Sequence, residues 1–268
     1  LHILFWTEFT DIHIDAHVKI GRDALMIINE NVLLDGSIEI EDSWPTTASG
    51  SLLLLSGDLQ DGSCIFRLLD PEGDAAITAG LGVERIIFGP GHRVEGVGRI
   101  RQTAEMHGTL SPGFPIDNFE LEYPFELTET GRLEIEVQKI SNDTLSSDSV
   151  IALGGTLDIL FSDGFEPTAF WKREIISAES ITGHFDHILI PSFQNGLTSR
   201  TYNSGTQLYI GQSCLADLDL DGDVNFSDIS LFISMFRASH PETDFNKDGL
   251  FNFLDISIFI ASVGTGCP

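Results

Sequence analysis

Short segments with alternating apolar and polar residues recur through the first 213 residues of the chain. Residues 37–41, 132–137 and 156–161 place aliphatic side chains at every second position, with acidic side chains at several positions between them. Successive side chains of a β-strand point to opposite faces, so this period of two predicts strands with one buried face. Helical periodicity is almost absent here, and residues 1–213 are predicted to form an all-β domain.

The spacing of glycines indicates how these strands stack. Six of the 26 glycines lie 21 to 26 residues apart, at Gly36, Gly57, Gly82, Gly108, Gly131 and Gly155. Coils of that length bury their apolar faces on one another in a parallel β-solenoid. The predicted fold class is therefore a right-handed parallel β-solenoid. A β-sandwich is the alternative, because short strands at this spacing also fit one.

The hydrophobic period changes in the last 55 residues. Residues 229–236 and 256–263 carry apolar side chains at i, i+3, i+4 and i+7, which is one face of a helix. Each stripe follows an acidic loop, and 10 of the 20 residues in 217–236 are identical to those 27 positions later. Residues 214–268 are predicted to be a small α-helical domain in which one loop–helix unit is used twice.

Both loops have the spacing of an EF-hand calcium loop. Oxygen-bearing side chains occupy loop positions 1, 3, 5, 9 and 12, glycine occupies position 6, and position 7 offers its backbone carbonyl. Calcium prefers six to eight hard oxygen ligands, which such a loop presents inward. We predict two bound Ca²⁺ ions. The predicted ligands are Asp217, Asp219, Asp221, Asp223 and Asp228 in the first loop, and Asp244, Asn246, Asp248, Leu250 and Asp255 in the second.

These residues resemble a dockerin domain, a duplicated loop–helix calcium module with two half EF-hands that binds cohesin domains. Cys214 before the first loop and Cys267 near the last residue resemble the bacterial subgroup that ends in Gly-Cys and anchors surface proteins. The resemblance implies a cohesin-like domain or another surface scaffold protein as partner. Loop positions 10 and 11 often carry Ser-Thr in that family, and here they depart from it. The predicted partner-binding residues are Phe226, Ser227, Phe253 and Leu254.

Three cysteines predict one disulfide and one free thiol. Cys214 and Cys267 bracket the repeat, whose pseudo-symmetry brings its two ends together. A bridge between them would contribute about 4 kcal/mol in the chain-entropy model and indicates an oxidising compartment. Cys64 has apolar neighbours and is predicted to be a buried thiol.

A second resemblance covers about residues 80–212. Segments 97–100, 107–113, 131–137, 154–157 and 180–185 follow the order seen in secreted bacterial β-helix proteins of the autotransporter-passenger kind. It implies an extended β fold and a secreted setting, and it implies no chemistry. Residues 1–21 are interpreted as a broken first coil of a longer or processed protein.

The charge narrows the class of partner. Forty-one acidic residues against 14 basic ones give a net charge of −27, which excludes nucleic acid as a ligand. The longest apolar runs are too short to span a bilayer. Such a surface suits a soluble protein in calcium-rich surroundings. Together with the oxidising compartment that the disulfide indicates and the secreted setting that the resemblances imply, this predicts an extracellular or cell-surface location.

Several polar groups offer candidate chemistry. Residues 11–19 and 184–187 each bring two histidines close to acidic residues. The solvent face of a strand accounts for the first pattern, and the second straddles a coil motif in which Phe185 is predicted to be a core residue. The pairs Glu120/Glu122 and Glu134/Glu136 have the i, i+2 spacing that is compatible with inverting glycoside hydrolysis. The nearest approach to the basic cluster of a polysaccharide lyase is Arg93, Arg99 and Arg101.

The predicted function is that of a secreted or surface-anchored, non-enzymatic β-solenoid protein. It would be attached to a cohesin-like partner through a calcium-dependent dockerin. The alternative is a dockerin-bearing carbohydrate-active enzyme, either a polysaccharide lyase or a hydrolase, or a glycan-binding module. Paired carboxylates beneath aromatic rings on one long face would favour the alternative, whereas a featureless acidic face would favour the scaffold.

Overall fold

A computed structural model describes most of the chain. The described residues are 2–3, 6–10, 13–21, 25–28, 33–41, 52–55, 59, 62–69, 75–80, 82–113, 116–167, 169–191 and 197–266. They are mostly β-strand up to Ser213 and contain two α-helices after it. Among the described residues, no helix combines the length and the apolar composition that crossing a membrane requires.

One run of strands is parallel throughout. Each member hydrogen-bonds to the next along the run. Its members are β1 (His2–Ile3), β3 (His13–Ile20), β5 (Leu33–Glu41), β7 (Gly62–Leu69), β10 (Arg93–Arg101), β12 (Thr109–Pro112), β15 (Arg132–Val137), β18 (Thr156–Phe161) and β21 (His187–Leu189).

A second run begins parallel and ends antiparallel. The parallel strands are β2 (Trp6–Phe9), β4 (Leu25–Ile28), β6 (Leu52–Leu55), β8 (Ala76–Ala79), the end of β10, β13 (Asn118–Leu121), β16 (Thr144–Ser147) and β19 (Trp171–Ser177). The antiparallel strands are β22 (Thr198–Asn203) and β23 (Gln207–Ser213), which we call the closing hairpin. Because β10 pairs in both runs, they form a single 18-stranded sheet.

A separate five-stranded sheet and the helices complete the described chain. The sheet is parallel and contains β9 (Ile86–Phe88), β11 (Ala104–Met106), β14 (Phe125–Leu127), β17 (Val150–Leu153) and β20 (Ser180–Gly183). The helices are α1 (Phe226–Arg237) and α2 (Phe253–Thr265), with a short 3₁₀ helix (Pro241–Thr243) between them.

The predicted fold class is wrong. The structure has a curled, mixed sheet in place of a regular parallel β-solenoid, since β23 pairs antiparallel with both β19 and β22. The physical reason is the short turn between Asn203 and Gln207, because strands joined by so few residues can only pair antiparallel. The β-sandwich alternative is wrong as well, since most pairings are parallel. A dockerin with two EF-hand loops is not seen either, and the hydrogen bonds within the two loops explain why.

The core follows the predicted alternation of side chains. In β15 every second residue is buried, and Phe66, Phe88 and Phe119 are fully enclosed. The rings of Phe66 and Phe88 meet edge to face, with centroids 5.8 Å apart. The helices have their own small cluster, in which Phe232 and Phe259 stack at 4.1 Å. Burial of these rings is the main favourable contribution to folding.

A buried carboxylate makes the stability of the β-rich region depend on pH. Asp143 is 3% exposed and accepts the backbone N–H of Glu136 at 2.8 Å. Burial, together with repulsion from Glu136, raises the pKa of Asp143 from 3.8 to about 7. The folded protein therefore holds this proton more tightly than the unfolded chain, and its contribution to stability is lost as pH rises through that range.

We expect Asp143→Asn to flatten the pH dependence of stability. Urea unfolding at pH 4.5 and pH 7 measures the slope. The wild-type free energy of unfolding should fall more steeply with rising pH than that of the variant, by at most about 1.4 kcal/mol per pH unit. Equal slopes for the two proteins would show that Asp143 titrates normally.

Candidate functional site

The first acidic loop folds around the carboxylate of Asp217. This residue is fully buried and accepts the backbone N–H groups of Asp221 at 3.1 Å and Gly222 at 3.0 Å. The loop therefore curves back on itself, and Gly222 permits this with a φ of 94° that few other residues adopt. One carboxylate oxygen each from Asp217, Asp219 and Asp221 then lies within 4.8 Å of the others.

The second loop repeats this backbone path 27 residues later. Asp244 accepts the N–H groups of Asp248 at 3.2 Å and Gly249 at 2.8 Å. Leu220 and Lys247, at position 4 of each loop, both have positive φ values, 56° and 57°. Two sequences that share only half of their residues thus adopt one conformation.

The last position of each loop differs from the EF-hand arrangement. Asp228 accepts the N–H of Leu218 at 2.7 Å on one carboxylate oxygen and that of Asn225 at 2.8 Å on the other. Asp255 does the same for Phe245 and Asn252, both at 2.9 Å. An EF-hand directs both oxygens of this residue at the ion. Here they bind backbone amides, so the prediction of two EF-hand loops is wrong.

The same hydrogen bonds explain where the helices begin. The side chain of Asn225 accepts the N–H of Ser227 at 2.7 Å, and with Asp228 it forms a capping box. Asn252 and Asp255 form the equivalent box at the start of α2. The helices therefore begin at Phe226 and Phe253, three residues before the apolar stripes that predicted them, which start at residues 229 and 256.

The electrostatics of the first loop favour a cation. Burial, followed by repulsion from Asp228, Asp221 and Asp217, raises the pKa of Asp219 to about 6. The carboxylate of Asp219 therefore ionises less readily than that of a free aspartate, and a divalent cation would relieve the repulsion. Carboxylate oxygens at this spacing are the hard ligands that Ca²⁺ prefers.

The second loop carries less negative charge. Its position 3 is Asn246, whose amide donates to Asp248 at 2.9 Å, and its position 7 is the exposed Leu250. The hydrogen bonds from Asn252, Asn246 and Phe245 lower the pKa of Asp255. Of the predicted ligands, the structure brings together three carboxylates in the first loop, while Asp223 in that loop is exposed.

The predicted partner-binding residues lie on the surface. Phe226 is 78% exposed, Phe253 75% and Leu254 57%, and Ser227 is exposed as well.

The structure adds two residues to this surface. Ile233 and Ile260, each two helical turns after an exposed phenylalanine, are 51% and 62% exposed. Helical periodicity placed both on one apolar face with Phe232 and Phe259, and the structure buries the two phenylalanines of that face while exposing the two isoleucines. The signal that could have identified them is that each phenylalanine and isoleucine pair recurs 27 residues later. We call Phe226, Ile233, Phe253 and Ile260 the exposed apolar set.

The carboxylate pairs of the β-rich region contact arginines. Arg93 lies 2.7 Å from Glu134 and 2.5 Å from Glu95. Arg99 and Arg101 both contact Glu122, at 3.3 and 3.0 Å, and Arg99 lies 3.4 Å from Glu120. The hydroxyl of Ser162 donates to Glu136. These groups form charged ladders across neighbouring strands.

The histidines of the two candidate clusters make separate local contacts. His13 lies 2.7 Å from Asp35, and His17 lies 2.6 Å from the hydroxyl of Ser37, both on the exposed face of β3. Phe185 is buried, as predicted, and Asp186 accepts the N–H of Gly155 at 2.8 Å. Neither cluster brings three ligating side chains together in the described part of the chain.

One of the three cysteines is a free thiol, and the structure describes only one of the two cysteines that are predicted to pair. Cys64 is free and buried, and burial raises the pKa of its thiol to about 12, which makes it a poor nucleophile. Cys214 is buried at the end of the closing hairpin. Cys267 lies outside the described residues, so the predicted disulfide stays a prediction.

Comparison with known proteins gives no family. No protein-family model matches the chain, and a search of the curated proteins finds no match.

Proposed function

We propose that this is a secreted or cell-surface, non-enzymatic protein whose C-terminal loop–helix repeat binds Ca²⁺ and attaches it to a partner protein. The observation that supports this most directly is the first loop. Asp217, Asp219 and Asp221 place ligating oxygens within 4.8 Å of one another in a loop whose backbone path is repeated later in the chain.

The donor set is suited to calcium. The carboxylates of Asp217, Asp219 and Asp221 and the carbonyl at position 7 would hold the ion in the first loop. In the second loop, Asp244, Asn246, Asp248 and the carbonyl of Leu250 would do so. Calcium affinity depends on the charge and rigidity of such a site, so the first loop should bind more tightly.

Attachment is supported by the exposed apolar set. Both loops carry phenylalanine at position 10, and the isoleucine seven residues later is exposed in both helices. The calcium loops fix the starts of α1 and α2, on which these side chains lie, so calcium would determine whether the set is presented. The partner that we propose is a cohesin-like domain or another surface scaffold protein with an apolar binding face.

We expect calcium-dependent binding that needs these phenylalanines. Purified full-length protein should be retained on immobilised cohesin-like domains in 5 mM calcium and released by excess EDTA. Phe226→Ser with Phe253→Ser should weaken retention by tenfold or more, because central aromatic contacts dominate binding energy. The matched control is Leu160→Ser with Tyr123→Ser, which alters two residues of the β-rich region that are 47% and 48% exposed. Equal retention of both double variants would contradict the proposed surface.

A further inference from the structure

The two loops, so similar in conformation, have different surroundings. The first loop lies against β19 and the closing hairpin. Lys172 of β19 donates to the backbone carbonyl of Asp219 at 2.9 Å, and its ammonium lies 4.4 Å from the ring centre of Tyr209. The hydroxyl of Ser213, the last residue of β23, donates to Asp217.

A buried arginine stands at the centre of this contact. Arg200 of β22 is 3% exposed and donates to the carbonyl of Leu215 at 2.7 Å, directly before the first loop. Its charge is attracted by Glu242, Asp217 and Asp228. Burial of a guanidinium is costly, and Nε and Nη1 of Arg200 have no hydrogen-bond partner among the described residues, so the bond to Leu215 and the attraction of these carboxylates are what offset the cost.

Glu242 completes the connection from the other side. It lies in the 3₁₀ helix between α1 and α2, and its carboxylate accepts both the N–H and the hydroxyl of Thr201, at 2.8 and 2.6 Å. β22 is therefore held through two successive residues, Arg200 and Thr201. Each of them bonds a different part of the C-terminal region.

The residue at position 4 of each loop shows the difference between the surroundings of the two loops most clearly. Leu220 is 1% exposed and packs over Gly211 of β23. A Cβ added at Gly211 would lie 3.0 Å from Cδ1 of Leu220. The equivalent residue of the second loop, Lys247, is exposed. A cavity of about 500 Å³ lies between Lys247 and Asp244 on one side and strands β21 and β22 on the other.

We infer that the first loop is a docking element that fixes the C-terminal region on the closing hairpin, with Arg200 as the residue that positions it. The closing hairpin and the C-terminal region then form one cooperative unit, and the second loop faces solvent. This docking rests on contacts within the chain. Its further consequence, that calcium in the first loop stabilises the closing hairpin, rests on the proposed function.

Hydrogen exchange of the full-length protein in EDTA tests the docking, with exchange of residues 198–213 as the readout. We expect Leu220→Lys to lower amide protection there at least tenfold, while Lys247→Leu, the reciprocal change at the equivalent position, leaves it within twofold of wild type. Residues 125–137, at the middle of the sheets, serve as the internal reference. If Leu220→Lys loosens only residues 214–266, the docking inference is overturned.

Arg200 is tested by a conservative rescue. Arg200→Met should lower protection in both 198–213 and 217–225, and Arg200→Lys should restore part of it because the charge that attracts Asp217 and Glu242 is kept. Loss of protection in 198–213 alone would assign Arg200 a role within the hairpin and would overturn its positioning role.

Exchange measured with and without calcium distinguishes a failure of the docking inference from a failure of the proposed calcium binding. In wild-type protein, calcium should slow exchange in both 217–225 and 198–213. Slower exchange in 217–225 alone overturns the coupling and leaves calcium binding intact. Unchanged exchange in 217–225 overturns calcium binding and with it the coupling, while the comparison in EDTA still decides the docking.

Discussion

Calcium is expected to stabilise the C-terminal region by about 4 kcal/mol when its concentration is about 1,000 times the dissociation constant. The reason is electrostatic. Asp217, Asp219 and Asp221 concentrate negative charge that Arg200 offsets only in part when calcium is removed, and the ion binds the folded loop far better than the unfolded chain. EDTA should therefore lower the melting temperature of this region clearly, as followed by circular dichroism at 222 nm.

Variants at position 1 of each loop test whether the two loops cause this stabilisation by calcium. Asp217→Ala with Asp244→Ala should abolish the difference between calcium and EDTA. Of the two single variants, Asp217→Ala should remove the larger share, because the first loop has more carboxylates than the second. Asp163→Ala provides a control, since it deletes a carboxylate from a turn outside both loops. Calorimetry that shows no heat on adding calcium to EDTA-treated, dialysed protein would contradict the expectation.

Gly96→Ala is expected to destabilise the β-rich region by about 3 kcal/mol or more, the sum of backbone strain and a steric clash. Gly96 lies in the middle of β10, the strand shared by both runs of the sheet, and has a φ of 109°. A Cβ there would lie 2.0 Å from the carbonyl oxygen of Leu68, on the neighbouring strand. Backbone on both sides leaves little room for adjustment.

A second glycine separates the two causes. Gly205 in the closing hairpin has a φ of 99°, but a Cβ there meets nothing within 4 Å. Gly205→Ala should therefore cost only the conformational strain, about 1 to 2 kcal/mol. Denaturant unfolding of both variants, followed by tryptophan fluorescence, gives the comparison. Equal losses at the two positions would show that the close approach to Leu68 is unimportant.

Local sequence pattern predicted the elements well and their assembly poorly. The alternation in residues 132–137 predicted β15 and its buried face, and the stripes after each loop predicted α1 and α2. The same patterns led to a wrong fold class. The alternation of apolar and polar residues indicates which face of a strand is buried. It does not indicate whether the neighbouring strand runs parallel or antiparallel.

The candidate site divides in the same way. The sequence identified both loops and the exposed Phe226 and Phe253, because position within a repeat can be counted along the chain. It did not identify Ile233 and Ile260 as exposed, because a helical stripe states which residues share a face and does not state what covers that face. It also assigned Asp228 and Asp255 to the ion, where the structure pairs them with backbone amides.

By itself, the sequence determined that the chain is rich in β-strands, that its end contains two helices, and that two loops before them share one conformation. Each of these properties depends on residues close together in the chain. Only the tertiary structure decided that the sheet closes with an antiparallel hairpin and that the first loop docks on it. Leu220 and Lys247 occupy equivalent positions in the repeat, and their burial differs because distant strands cover one and not the other.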